Sequence, residues 1–153
     1  MTDGIKIITK NRHAYHEYHV IDKHEAGIVL QGTEVKSIRV NSAISLKESY
    51  VDFVKGEAWL IGSRVSPYLQ GNRNNHLPDR PRKLLLNRAE LHKLMRQVEE
   101  KGMTVVPLLA YFKKGKVKLE IGLCRGKHLY DKREAIKKRE SDRELERAVK
   151  HYK

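Results

Sequence analysis

TVVPLLAYFKKGKVKLEIGL, running from Thr104 to Leu123, is the stretch that decides the fold. In its second half Val117, Leu119, Ile121 and Leu123 alternate with Lys118, Glu120 and Gly122. Successive side chains on a strand point to opposite faces, so this pattern predicts a strand with one face buried and one wet. The first half, Thr104 to Phe112, is a continuous apolar run. Lys113-Lys114-Gly115 between the halves supplies a turn, because glycine adopts positive φ without steric cost. The stretch therefore reads as an antiparallel hairpin.

Working outward, Ser49 to Val54 and Glu57 to Ile61 flank Lys55-Gly56 in the same manner, which predicts a second hairpin. Tyr15 to Ile21 and Gly27 to Gln31 are short, rich in aromatic or β-branched residues, and bounded by polar clusters, as strands are. Two helices stand between. Leu91, Leu94, Met95 and Val98 recur at i, i+3, i+4 and i+7, one apolar stripe. Asn87 sits at the N-cap position with Glu90 three residues on, and Gly102 supplies the stop. A shorter helix is expected over Thr33 to Val40, with Val35 and Ile38 inward and Lys36 and Arg39 outward. The prediction is an α+β domain over residues 1–130: an OB-like antiparallel β-barrel of about six strands with two to three helices, a solution that leaves no open sheet edge.

Residues 131–153 differ in character. They are rich in Ala, Glu, Lys, Arg and Leu without Gly or Pro, yet their apolar residues form no single stripe. Little apolar area is available to offset ordering, so this tail is expected to be disordered when free and helical against a polyanion. The whole chain carries 32 Lys and Arg against 19 Asp and Glu, a formal net charge of +13. From Gly126 onward the count is 10 against 6, so +4 belongs to the tail and +9 to the remainder. Both parts are thus expected to touch a polyanion, with an affinity that falls steeply with salt.

Other classes find little support. No apolar run approaches the ~20 residues that span a bilayer, and the first ten residues are too polar for a secretory signal. Cys124 is the only cysteine, which fits a reducing cytoplasm and excludes a disulfide within the chain. His13, His16 and His19 recur at spacing three but lack acidic or cysteine partners at metal-ligand offsets, so no metal or other cofactor is expected. They read instead as RNA-facing donors or stacking groups beside Arg12. There is no Gly-x-Ser-x-Gly elbow and no phosphate-binding Gly-rich loop. Residues 72–83 read as a proline- and asparagine-rich loop whose Arg73, Arg80, Arg82 and Lys83, together with His76, are donors suited to gripping phosphates and unpaired bases, with Leu84-Leu85-Leu86 as a buried anchor.

Beyond these patterns, a collinear series of short motifs resembles the SmpB family. It comprises His16-Glu17-Tyr18, Glu25-Ala26-Gly27-Ile28, Gln31 to Arg39, Ser49-Tyr50, Gly56-Glu57, Pro67-Tyr68, Arg82 to Leu86, Tyr111-Phe112 and Asp131-Lys132-Arg133-Glu134. The resemblance runs from about Asn11 to the C-terminus. It implies a non-enzymatic adaptor that binds the tRNA-like domain of tmRNA and rescues stalled ribosomes by trans-translation, in company with EF-Tu and GTP. It also implies an RNA-binding set of His16, Glu25, Lys36, Arg39, Arg82, Lys83, Leu85 and Asn87. A second set, Gly126, Lys127, Asp131, Lys132, Arg133, Lys137, Arg139 and Arg147, would serve the tail in the decoding centre and mRNA channel.

The residues themselves leave some of these roles open. Leu85 suits either the core or an RNA contact, and Asn87 either a helix cap or the RNA surface. Glu25 would repel phosphate, so it should accept from a base edge or orient a neighbouring Arg. Two positions depart from the family pattern. His128 stands where a second Lys is common, making one fixed charge pH-dependent, and Cys124 stands where a small residue such as Ala is usual. A general RNA chaperone or ribosome-associated OB protein is the alternative function.

Overall fold

A computed structural model describes residues 4–68 and 75–126. In chain order the elements are β1 (Ile5–Lys10), α1 (Arg12–Glu17), β2 (Tyr18–Ile28), α2 (Gly32–Asn41), β3 (Ile44–Ser45), β4 (Tyr50–Val54), β5 (Glu57–Ile61), β6 (Arg64–Val65), β7 (Arg82–Leu85), α3 (Arg88–Lys101), β8 (Thr104–Lys113) and β9 (Lys116–Gly126). The main sheet has the order β1-β8-β4-β5-β7-β2-β9, and β9 pairs in addition with β8. Six antiparallel strands therefore follow one another around a ring of pairings, and β1 is added to the outer side of β8. The link that completes the ring, β4 to β8, rests on the single register Val51 opposite Val105. This is the α+β, OB-like arrangement expected from the alternation.

The hairpins form as two-residue turns. Lys55-Gly56 has φ of 52° and 76°, and Lys114-Gly115 has 52° and 78°. Both central residues at positive φ match the twist of the flanking strands. Lys113 belongs to β8, pairing with Lys116, so the second turn is one residue tighter than anticipated. The inward residues of β9 meet Ala26, Leu60, Leu84, Leu94, Val105 and Ala110 in one core. On α3, Asn87 Oδ1 accepts from the Glu90 N–H at 2.8 Å, and Gly102 ends the helix at φ 63°. His24 Nδ1 lies 3.0 Å from Glu90 Oε2 and ties β2 to the same helix.

Two expectations need correction. The predicted strand from Tyr15 is instead helix α1 up to Glu17, and β2 is one continuous strand from Tyr18 to Ile28 where the sequence predicts two. The cause is Asn11, which is buried. Its Oδ1 accepts from the Ala14 N–H at 3.2 Å, while its Nδ2 donates to Pro107 O at 2.8 Å and Leu46 O at 3.1 Å. A single side chain thus caps the turn and fastens it to β8. Second, the expected loop ends early, because Arg82 and Lys83 already lie in β7. Strand β1 joins the six expected strands as a seventh on the main sheet, in keeping with about six, and a short separate pair β3–β6 accompanies it. The tail over residues 131–153 lies outside the described residues.

Beside the main core, Ala14 of α1 packs with Val106, Leu108 and Cys124 on the opposite face of β8 and β9. Gly122 makes this second layer possible: a Cβ there would stand 2.7 Å from Leu108 Cδ1. Burial pushes the Cys124 thiol up to about 12.

Candidate nucleic-acid interface

The alternation that buries Leu84 sends its neighbours Lys83 and Leu85 to the outer face of the sheet. Register then sets a row across four strands: Leu85 of β7 stands opposite Gly27 of β2, Gly27 opposite Lys118 of β9, and Lys118 opposite Tyr111 of β8. Leu85 is 53% exposed, so it is not a core residue. It separates two grooves and lines both. One is bounded by Gly27, Ile28, Leu30, Val35, Lys116 and Lys118, the other by Glu57, Lys83, Leu86, Arg88, Leu91 and His92. A Cβ at Gly27 would lie 3.4 Å from Leu85 Cβ, in ordinary van der Waals contact with the ridge.

Next along the outer face of β2 comes Glu25. Its Oε2 accepts from the Tyr111 hydroxyl at 2.5 Å and from Lys113 Nζ at 3.2 Å. The Tyr111 hydrogen bond, assisted by Lys113, holds the Glu25 carboxyl below the usual carboxylate range, while its modest burial works the other way. Tyr111 is shifted upward by burial and by the same hydrogen bond. The partner that orients Glu25 is therefore a tyrosine and a lysine rather than an arginine.

Arg82, expected among the RNA-facing cations, is wholly buried. Its Nε donates to Glu34 Oε2 at 2.8 Å, its Nη2 forms an ion pair with the same oxygen at 2.6 Å and donates to Pro78 O at 3.0 Å, and its Nη1 donates to Ser63 Oγ and to Arg80 O, each at 3.0 Å. Glu34 also accepts from Arg80 at 2.6 Å and from the Gln31 N–H at 2.8 Å. Burial alone would raise the Glu34 carboxyl, but the bonds from Arg80, Gln31 and Arg82 hold it below its ordinary range. Burial likewise lowers Arg82, and Glu34 draws it back up. This internal cluster locks the start of β7 to α2, and so fixes where Lys83 and Leu85 emerge.

The other predicted residues are distributed as follows. Lys36 and Arg39 are exposed on α2, whose Val35 lines the Gly27 groove. Lys83 is half-buried and pairs with Glu57 at 2.9 Å. Asn87 is exposed while its Oδ1 caps α3. His16 is exposed at the end of α1, on an element that packs against the second core rather than beside Leu85. Gly126 is the last described residue of β9. Lys127, Asp131, Lys132, Arg133, Lys137, Arg139 and Arg147 lie outside the described residues. The sequence pattern did not single out Tyr111, Lys113, Lys116 and Lys118, which the structure places around Glu25 and the Gly27 groove. The signal was present, because a two-residue turn at Lys114-Gly115 fixes the hairpin register and places Tyr111 opposite Lys118. Among the described residues no group of three His, Cys, Asp or Glu is placed to hold a metal ion, and no helix is long and apolar enough to cross a membrane.

A ring of antiparallel strands, a strong positive charge and an outer face with an apolar ridge between lysine-lined grooves together define an OB-like nucleic-acid-binding protein. The family model described as SmpB protein matches residues 8–151. The SsrA-binding protein of Carboxydothermus hydrogenoformans is 52% identical over 145 residues, covering 95% of this chain and 97% of that protein. That of Desulfitobacterium hafniense (strain DSM 10664 / DCB-2) is 53% identical over 146 residues, covering 95% and 93%. A solved chain described as "tmRNA-SmpB: a journey to the center of the bacterial ribosome" superposes with a TM-score of 0.65 and 44% identity, covering 78% of this chain and 83% of its own. The chain belongs to the SmpB family.

Proposed function

We propose that this chain is a non-enzymatic adaptor that binds the tRNA-like domain of tmRNA and enables trans-translation on stalled ribosomes. The outer face around Leu85, with Glu25, Lys83 and Asn87, meets the RNA. His16, Lys36 and Arg39 add contacts from the flanking helices, and Arg82 acts from within by fixing β7. The tail, from Gly126 and Lys127 through Asp131, Lys132 and Arg133 to Arg147, enters the decoding centre and mRNA channel. The protein works in the cytoplasm and meets EF-Tu and GTP through the tmRNA complex.

Family membership along nearly the whole chain is the observation that carries this reading. An apolar ridge between lysine-lined grooves supports such a role, because phosphate contacts supply affinity while base and shape contacts set specificity. The test is a titration of the full chain with a tRNA-like tmRNA fragment, a tRNA and an unrelated hairpin at several salt concentrations. The reading predicts preference for the tmRNA fragment, a linear fall of log affinity with log salt, and intact RNA afterwards. Equal affinity for all three RNAs overturns it.

A further inference from the structure

We propose that Tyr111 is a positioning residue for RNA recognition, acting through Glu25. The inference rests on the tmRNA-binding reading and deepens it. Glu25 stands on the outer face of β2, where an unassisted carboxylate would swing freely and repel phosphate. Two neighbours on β8 prevent this. The Tyr111 hydroxyl donates to Oε2 at 2.5 Å, and Lys113 Nζ donates to the same oxygen at 3.2 Å. Lys113 reaches Oε1 only at 3.4 Å. Oε2 is thus engaged, while Oε1 keeps acceptor capacity on a side chain that remains 39% exposed.

Tyr111 is suited to this task because it is itself fixed. The residue is only 6% exposed, and its register opposite Lys118 is set by the tight turn at Lys114-Gly115. A clamped carboxylate loses less freedom on binding than a mobile one, so its hydrogen bond to an N–H or O–H donor of the RNA contributes more to affinity. Lys113 and Lys118 flank the group and offset its charge, and Glu120, opposite it on β9, pairs with Lys23 at 3.9 Å. Tyr111 supplies orientation to a negative group on a basic face, which is the condition for that group to select a donor rather than deter the ligand.

The test is a double-mutant cycle on the full chain, with the tRNA-like tmRNA fragment as probe and thermal unfolding recorded in parallel. Tyr111→Phe keeps the ring and removes one hydroxyl. It should weaken binding about tenfold, the size of a hydrogen bond to a charged group. In a Glu25→Gln background the same substitution should change affinity less than about twofold, because its effect passes through the carboxylate. Lys113→Met provides a second cycle at the surface end of the hairpin, should Tyr111→Phe lower the melting temperature. No loss on Tyr111→Phe, or the same loss in both backgrounds, overturns the inference and leaves the functional reading standing. A wild-type chain that does not prefer the tmRNA fragment overturns the functional reading, and this inference with it.

Discussion

Glu34 and Arg82, 48 positions apart, form an ion pair at 2.6 Å with both side chains out of solvent. The pair sets β7 against α2, and β7 carries Lys83 and Leu85 to the outer face. Removing one partner strands a charge in the interior, at a cost of about 3–5 kcal/mol. Glu34→Gln should therefore lower the urea midpoint markedly at neutral pH. The folded Glu34 carboxyl titrates below its unfolded value, so its stabilisation is present above about pH 4.3 and is lost as the pH falls toward the depressed folded value. The gap between wild type and Glu34→Gln should accordingly narrow on acidification. A gap that stays constant with pH contradicts this account.

Leu84 and Leu85 are neighbours with opposite duties, being 3% and 53% exposed. Leu84→Ala should destabilise the fold by about 2–5 kcal/mol, as buried leucine truncations do. Leu85→Ala should change stability by less than about 1 kcal/mol yet weaken binding of the tmRNA fragment. Denaturant melts and RNA titrations on the two variants separate the roles, and equal loss of stability would place Leu85 in the core.

Cys124 has its thiol pushed up to about 12 by burial. A thiol reagent at pH 8 should label the folded chain slowly and label it fully in denaturant, because the thiolate is the reactive form. Rapid labelling of the folded protein would contradict the packing of α1 over Val106, Leu108 and Cys124.

Gly122 leaves that layer no spare volume. A Cβ at this position meets Leu108 Cδ1 at 2.7 Å and Cys124 Sγ at 3.3 Å. Gly122→Ala should cost about 1–3 kcal/mol through overpacking. Combining it with Leu108→Val should recover part of the loss, which a thermal melt of the three variants reads directly.

How much of this was legible in the sequence depended on whether the deciding interaction was local. Residues 116–123 were legible because one face is dry and the other wet, so pattern and structure coincide. The α3 cap was legible because Asn87 and Glu90 are three residues apart. Helix α1 was not, since it has only six residues and its cap, Asn11, is held by carbonyls 35 and 96 positions away. Strand β2 was half-hidden because its centre is polar on both faces: Lys23 and Glu25 meet solvent, while Asp22 and His24 turn toward α3 and pair with Lys93 and Glu90. Arg82 read as a surface cation because its partner lies on another element. The same distance effect concealed Tyr111, whose link to Glu25 exists only once β2, β9 and β8 lie side by side. Leu85 was open between two roles, and the burial of its neighbour Leu84 decides between them.

The central claim is that a structured RNA-binding face and a separate basic tail perform different steps. It is tested most directly by truncating the chain after Tyr130 and measuring, on one preparation, affinity for the tRNA-like tmRNA fragment and tagging of peptides on stalled ribosomes. The account predicts affinity within about threefold of wild type, since +9 of the +13 charge lies before Gly126, together with loss of tagging. Loss of both activities in parallel, or tagging that survives the truncation, would contradict it.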